Sequence, residues 1–193
     1  PADIRAAAAV AEQAGDWETA FTAYCHLFVA DRTAPDVREK LNSTLRRAQQ
    51  LRRHRDPLFQ QFAVSTSVSA SLTLFGEVLT KVPVMYADPD RTTPQALWQN
   101  GIEELSRAFE NPAFRQAFLE VGAGEKVDAF RRTLRYWAKQ PIPDARAARV
   151  QLRKLLTSAQ DQLVIRLPQV LALEVVCGAC SGLDEDTVFL SPA

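Results

Sequence analysis

The chain is poor in the residues that most often carry chemistry. It has two histidines, His26 and His54, and three cysteines, Cys25, Cys177 and Cys180. A serine-type triad would have to take its base from those two histidines, and no Gly-x-Ser-x-Gly elbow accompanies either. Three cysteines leave an odd thiol under any pairing, unlike the even, dense framework of a disulfide-stapled secreted domain. The redox compartment stays open. An excess of one charge is also missing, because Lys plus Arg and Asp plus Glu both number 23. No global field then favours nucleic acid or an anionic membrane, and neither is expected as a partner. No apolar run approaches the roughly 20 residues that span a bilayer. The longest mainly uncharged stretch, Leu167 to Cys180, is short and contains Glu174. No secretory signal is legible. The opening at Pro1 without Met and the end at Ser191-Pro192-Ala193 fit a processed product, from which a signal peptide could have been removed.

What the chain does have is helical periodicity. Hydrophobic residues make up 47% and charged residues 24%, the balance of a folded globule rather than a disordered tail. Ile4, Ala7, Ala8 and Ala11 recur at i, i+3, i+4, i+7, and Asp3 is placed to cap the helix they define. Gly15-Asp16 breaks the pattern. A second helix follows with the stripe Trp17, Ala20, Phe21, Tyr24, Leu27, Phe28, and a third after Pro35 with Val37, Leu41, Leu45, Ala48 and Leu51. Residues 62–66 alternate apolar and polar and are expected to be extended, with a helix from about Ser67. Thr93-Pro94 and Asn111-Pro112 each pair a cap with a proline at the first helical position. Their helices carry Leu97, Ile102, Leu105 and Phe109, then Phe114, Ala117 and Phe118. Val127, Phe130, Leu134 and Trp137 mark another. Asp144 caps the next, with Ala148, Leu152, Leu155, Leu156, Ala159 and Leu163 inward. The last helix, Pro168 to about Ser181, is apolar nearly all round and is expected at the centre. Gly182 is expected to stop it in a left-handed conformation, before an extended exit through Thr187-Val188-Phe189-Leu190. The expected fold class is all-α: a multi-helix bundle, with residues 1–56 as one part and 57–193 as the other.

The first part resembles a tetratricopeptide repeat. Small Ala8, Gly15 at the turn, small Ala20, aromatic Tyr24 and a proline after the second helix match that pattern. Small residues let two helices approach closely, and glycine permits the tight turn. Ala11, Leu27 and the late Pro35 depart from it. A single such hairpin is below the three or so repeats an independent array needs, so it is expected to dock on the rest of the chain. Trp17, Phe21 and Tyr24 are expected to form the hairpin's core rather than a binding groove.

The candidate chemical groups read mostly as structure. His26 lies mid-helix and His54 in a cluster with Arg46, Arg47, Arg52, Arg53 and Arg55. Neither has a carboxylate or thiol at metal-ligand spacing in sequence, apart from Cys25, whose side chain must point away from that of adjacent His26. The Arg cluster lacks stacking aromatics and reads as a solvated helix face. Cys177-Gly178-Ala179-Cys180 is a C-x-x-C pair late in an apolar helix with no preceding thioredoxin-like strand. Packing is its main reading, with redox or metal chemistry as alternatives. Asp184-Glu185-Asp186 lacks the spacing and glycine of a calcium loop. No catalytic, cofactor-binding or metal-ligating residue is assigned, and no cofactor is expected.

Two stretches carry a resemblance. One is Leu74-Phe75-Gly76-Glu77-Val78-Leu79 through Met85-Tyr86-Ala87-Asp88-Pro89 to Leu97-Trp98-Gln99-Asn100-Gly101-Ile102-Glu103-Glu104-Leu105. The other is Val176-Cys177-Gly178-Ala179-Cys180-Ser181-Gly182-Leu183-Asp184-Glu185-Asp186-Thr187-Val188-Phe189-Leu190-Ser191-Pro192. They are similar to the helix, "Tyr-x-Asp-Pro" turn and "Leu-x-x-x-Gly-x-x-x-Leu" helix of carboxyl-terminal processing serine proteases, and to the "Leu-Asp-x-x-Ser/Thr-x-x-Leu" stretch before their PDZ domain. Here an insertion over roughly residues 110–167 separates the two. The resemblance implies a Ser nucleophile activated by a Lys in a β-rich domain beyond Ala193. No catalytic residue transfers, because Lys40, Lys81, Lys126, Lys139 and Lys154 lie on amphipathic helices without the setting a nucleophile needs. It also implies an exported or periplasmic location, and protein partners: the PDZ and protease domains, an adaptor, or another copy of the chain. The expected function is a non-catalytic scaffolding and interaction region of such a protease. A free-standing helical adaptor is the competing expectation.

Overall fold

The structure, a computed structural model, describes residues 2–120 and 124–183. Among the described residues there are ten helices and no named strand, with one isolated antiparallel bridge between Leu119 and Ile165. The fold is all-α. The chain divides into two compact units, residues 1–53 and 54–193.

The first unit is built from α1 (Ala2–Ala14), α2 (Trp17–Ala30) and most of α3 (Pro35–Arg55). Gly15 has φ +71°, the left-handed turn conformation that favours glycine. Asp16 accepts from the Thr19 backbone N–H and caps α2. Asp3 lies inside the first turn of α1 rather than at its cap. The core holds Ala8, Tyr24, Leu27 and Val37. Trp17 and Phe21, expected inside with Tyr24, are only half-buried. The Arg47 guanidinium instead lies 4.5 Å over the Trp17 ring.

The second unit contains α4 (Pro57–Ser65), α5 (Val68–Met85), α6 (Pro94–Glu110), α7 (Pro112–Phe118), α8 (Gly124–Ala138), α9 (Ala145–Gln162) and α10 (Gln169–Ser181). The extended segment expected at 62–66 is helical up to Ser65. Asp56 caps α4 with Pro57 at its first position, and Phe59 and Ala63, four residues apart, bury one face. Of the apolar residues that give the alternation, Phe62 is half-buried and Val64 is exposed. Side-chain caps from Ser67, Thr93, Asn111 and Asp144 start α5, α6, α7 and α9.

Every residue of α10 is buried. It packs most extensively against α6, then α5, which explains its apolar composition on all sides. Gly182 closes α10 at φ −80°, ψ −10°, so the expected left-handed stop is not there. Glycine is needed for space: a Cβ at Gly182 would collide with the Asn100 side chain of α6. Gly101 and Gly178 face each other along the same seam. A Cβ on Gly101 would lie 2.6 Å from the Val175 carbonyl oxygen, and one on Gly178 would lie 2.6 Å from the Asn100 carbonyl oxygen.

Helix α5 is long and apolar enough to cross a membrane by length and composition. A core helix satisfies the same criterion, and Leu72, Phe75, Val78 and Leu79 are buried within this unit. Its Glu77 and Lys81 pair on the exposed side.

Candidate functional site

The most concentrated polar chemistry in the second unit surrounds His54, on the last turn of α3. Its Nε2 lies 3.0 Å from Glu174 Oε1 on α10, and both side chains are fully buried. Asn111, between α6 and α7, completes the cluster with its Nδ2 3.0 Å from His54 Nδ1. The local folding fixes the orientation of that amide. Asn111 Oδ1 accepts from the Ala113 N–H as the α7 cap, which turns the NH₂ towards the imidazole. His54 Nδ1 is then the acceptor, and Nε2–H donates to the Glu174 carboxylate. Phe114 packs 4.9 Å from the imidazole, with Phe59 and Phe118 each at 6.3 Å.

In sequence, His54 lies in an Arg cluster that reads as solvated, with no carboxylate at ligand spacing. The carboxylate is there, 120 positions along the chain. Glu174 was legible as the lone charge inside an otherwise apolar helix, since such a residue requires a buried partner. Asn111 was recognised only as a cap. A general base must reach the proton it removes. The His54 imidazole has both nitrogens engaged, is fully buried and is walled by three phenylalanines. Within the second unit, the cluster ties His54 to α7 and α10.

The other candidates do not join it into a reactive site. His26 is exposed on α2. It lies at the edge of a shallow groove of about 520 Å³ between α1 and α2, floored by Ile4, Ala7 and Ala23. None of Cys25, Cys177 and Cys180 is joined in a disulfide. Burial pushes Cys180 up to about 11, whereas a redox dithiol needs a depressed value. Among the described residues no three His, Cys, Asp or Glu side chains cluster as metal ligands. Lys40 pairs with Glu12, and Lys81 with Glu77. Lys126 and Lys154 are exposed on helices, whereas Lys139, expected on one, is exposed in the turn that follows α8 at Ala138. Within the Arg cluster, Arg52 pairs with Glu18. Asp184-Glu185-Asp186 and the exit through Leu190 lie outside the described residues.

In the first unit, Glu12 links α1 to the rest. Tyr24 Oη donates to its Oε1 at 2.6 Å, and Lys40 Nζ donates to its Oε2 at 2.8 Å. Burial pushes the Glu12 carboxyl up, but the hydrogen bonds from Lys40 and Tyr24 outweigh it and hold the group below its ordinary value. Burial, followed by the bond to Glu12, pushes the Tyr24 phenol up to about 12.

As far as Leu183, the stretches that carry the protease resemblance lie against one another. Tyr86 Oη donates to the Leu183 carbonyl oxygen at 3.2 Å, and Arg91 donates to the same oxygen at 2.6 Å. Just beyond, α6 and α10 run along the glycine seam. No protein-family model, curated protein or solved structure matches this chain.

Proposed function

We propose that this chain is a non-catalytic scaffolding and interaction region, belonging to a serine protease of the carboxyl-terminal processing type, in which proteolysis resides in domains beyond Ala193. One observation carries the reading. Tyr86 and Arg91, at the turn of the first resembling stretch, both bond the backbone of Leu183 in the second. Stretches that are neighbours in the protease pattern are thus neighbours in space, although α7, α8 and α9 intervene in sequence. The enclosed His54 cluster agrees with a structural role for this part of the protein. The decisive experiment compares this chain with a longer one extended past Ala193, using an unstructured peptide substrate. An inert short chain and a cleaving long chain support the reading. Hydrolysis by the short chain, or no Ser/Lys protease domain in the extension, refutes it.

A free-standing helical adaptor is the second reading. The groove between α1 and α2, with Ile4 and Ala7 on its floor and Asp3, Thr22 and His26 at its rim, favours it. A stop codon directly after Ala193 would decide for this alternative.

A further inference from the structure

The exposed face of α9 carries Arg146, Arg149, Arg153 and Lys154, spaced at i, i+3, i+7 and i+8 so that they share one side of the helix. With Leu72 of α5 and exposed Val150, they line a groove of about 350 Å³. None of the four cationic side chains makes an ion pair or hydrogen bond with another described residue. Elsewhere on this chain surface cations are commonly paired, as Arg5 is with Asp36 and Lys81 with Glu77. Gly76 lets the Arg149 side chain lie close against α5, since a Cβ there would stand 2.8 Å from Arg149 Cδ.

We propose that this groove docks an acidic, amphipathic segment of a partner protein, with carboxylates spaced a helical turn apart and an apolar side chain seated against Leu72 and Val150. The proposal deepens the interaction reading above and rests on it. Charge complementarity selects an acidic occupant, since four unpaired cations sit within about 12 Å of helix. The apolar floor selects a protein segment over a purely ionic ligand. Nucleic acid fits poorly, because no aromatic side chain lines the groove for base stacking. An anionic bilayer fits poorly as well: the site is concave, and the chain as a whole has a net charge of +0.

The test uses the full chain and a fluorescein-labelled helical peptide in which Glu recurs at i, i+4 around leucines, read by anisotropy at low and physiological salt. Binding should weaken by about tenfold or more for the Arg149→Glu/Arg153→Glu variant. A matched peptide with Gln in place of Glu should bind comparably weakly. Val150→Ser should weaken binding while leaving its salt dependence in place. Arg146→Gln/Lys154→Gln supplies a milder variant, and circular dichroism confirms that each retains its helix. No binding by the unaltered chain up to about 1 mM peptide, or binding indifferent to every substitution, overturns the proposal. So does tighter binding of phosphatidylserine vesicles or a single-stranded oligonucleotide through the same residues. Any of these leaves the scaffold reading standing, because that reading falls only on peptide hydrolysis or on the sequence beyond Ala193.

Discussion

Replacing Gly178 with alanine probes the seam between α6 and α10. The new Cβ would lie 2.4 Å from Glu104 Cβ, 2.6 Å from the Asn100 carbonyl oxygen and 2.9 Å from Gly101 Cα. Ordinary contact begins at 3.4 Å, so α6 must retreat by 1.0 Å, 0.8 Å and 0.5 Å at the three points. Two obstacles are main chain and the third is a Cβ fixed to it, so none can swing aside as the far end of a flexible side chain does. Overpacking of this kind costs about 3 kcal/mol when the backbone must move. A gap of that width also forfeits about a quarter to a half of the dispersion attraction of the atom pairs it separates. Against this, alanine inside a helix is favoured over glycine by about 1 kcal/mol. The net expectation is a loss of about 2 kcal/mol, or a fall of about 4–8 °C in Tm. Urea titration followed by circular dichroism at 222 nm measures it. Gly124→Ala is the control: nothing lies within 4 Å of its added Cβ, so it should be neutral or slightly stabilising. A Gly178→Ala protein as stable as the parent would refute the close approach of these helices.

Glu174→Ala removes the acceptor of the His54 Nε2–H inside a sealed pocket, and should cost about 3 kcal/mol. A Glu174→Leu/His54→Phe double variant should recover part of that loss in the same urea titration. The depressed Glu12 carboxyl stabilises the first unit above the ordinary carboxylate range, and that stability is lost as pH falls through its folded value. Glu12→Gln should therefore flatten the acid limb of a stability-against-pH curve below about pH 5. The raised Tyr24 phenol gives the opposite window: its contribution is intact below about pH 10 and is lost as pH climbs towards about 12. Tyr24→Phe should remove that alkaline loss. A thiol reagent added to the folded protein should label Cys25, the half-buried thiol, ahead of Cys177 and Cys180, which react only on unfolding. Rapid labelling of all three would bring back the redox reading of the C-x-x-C pair.

Helix positions were legible because caps and apolar stripes agree. Thr93-Pro94, Asn111-Pro112 and Asp144 all begin helices where their chemistry requires. Phe62 and Val64 misled because a short helix with an exposed apolar residue imitates strand alternation, and the inward Phe59 and Ala63 decide the matter only once their neighbours are in place. Gly182 was misread because composition does not distinguish a glycine needed for its φ from one needed for the absence of a Cβ. The His54–Glu174–Asn111 cluster joins three residues far apart in the chain, and no local pattern announces such a meeting. The unpaired cations of α9 were hidden for a related reason: pairing is a tertiary property, and a count of charges cannot supply it.

Asn111 closes α6, opens α7 and offers its remaining NH₂ to the imidazole. Aspartate could keep the cap but would present oxygen to a ring nitrogen that also needs a proton. Serine is too short to serve both neighbours, and histidine or glutamine would misplace the cap. The amide side chain is thus a junction whose several duties admit one occupant, leaving that corner of the molecule almost no room to vary.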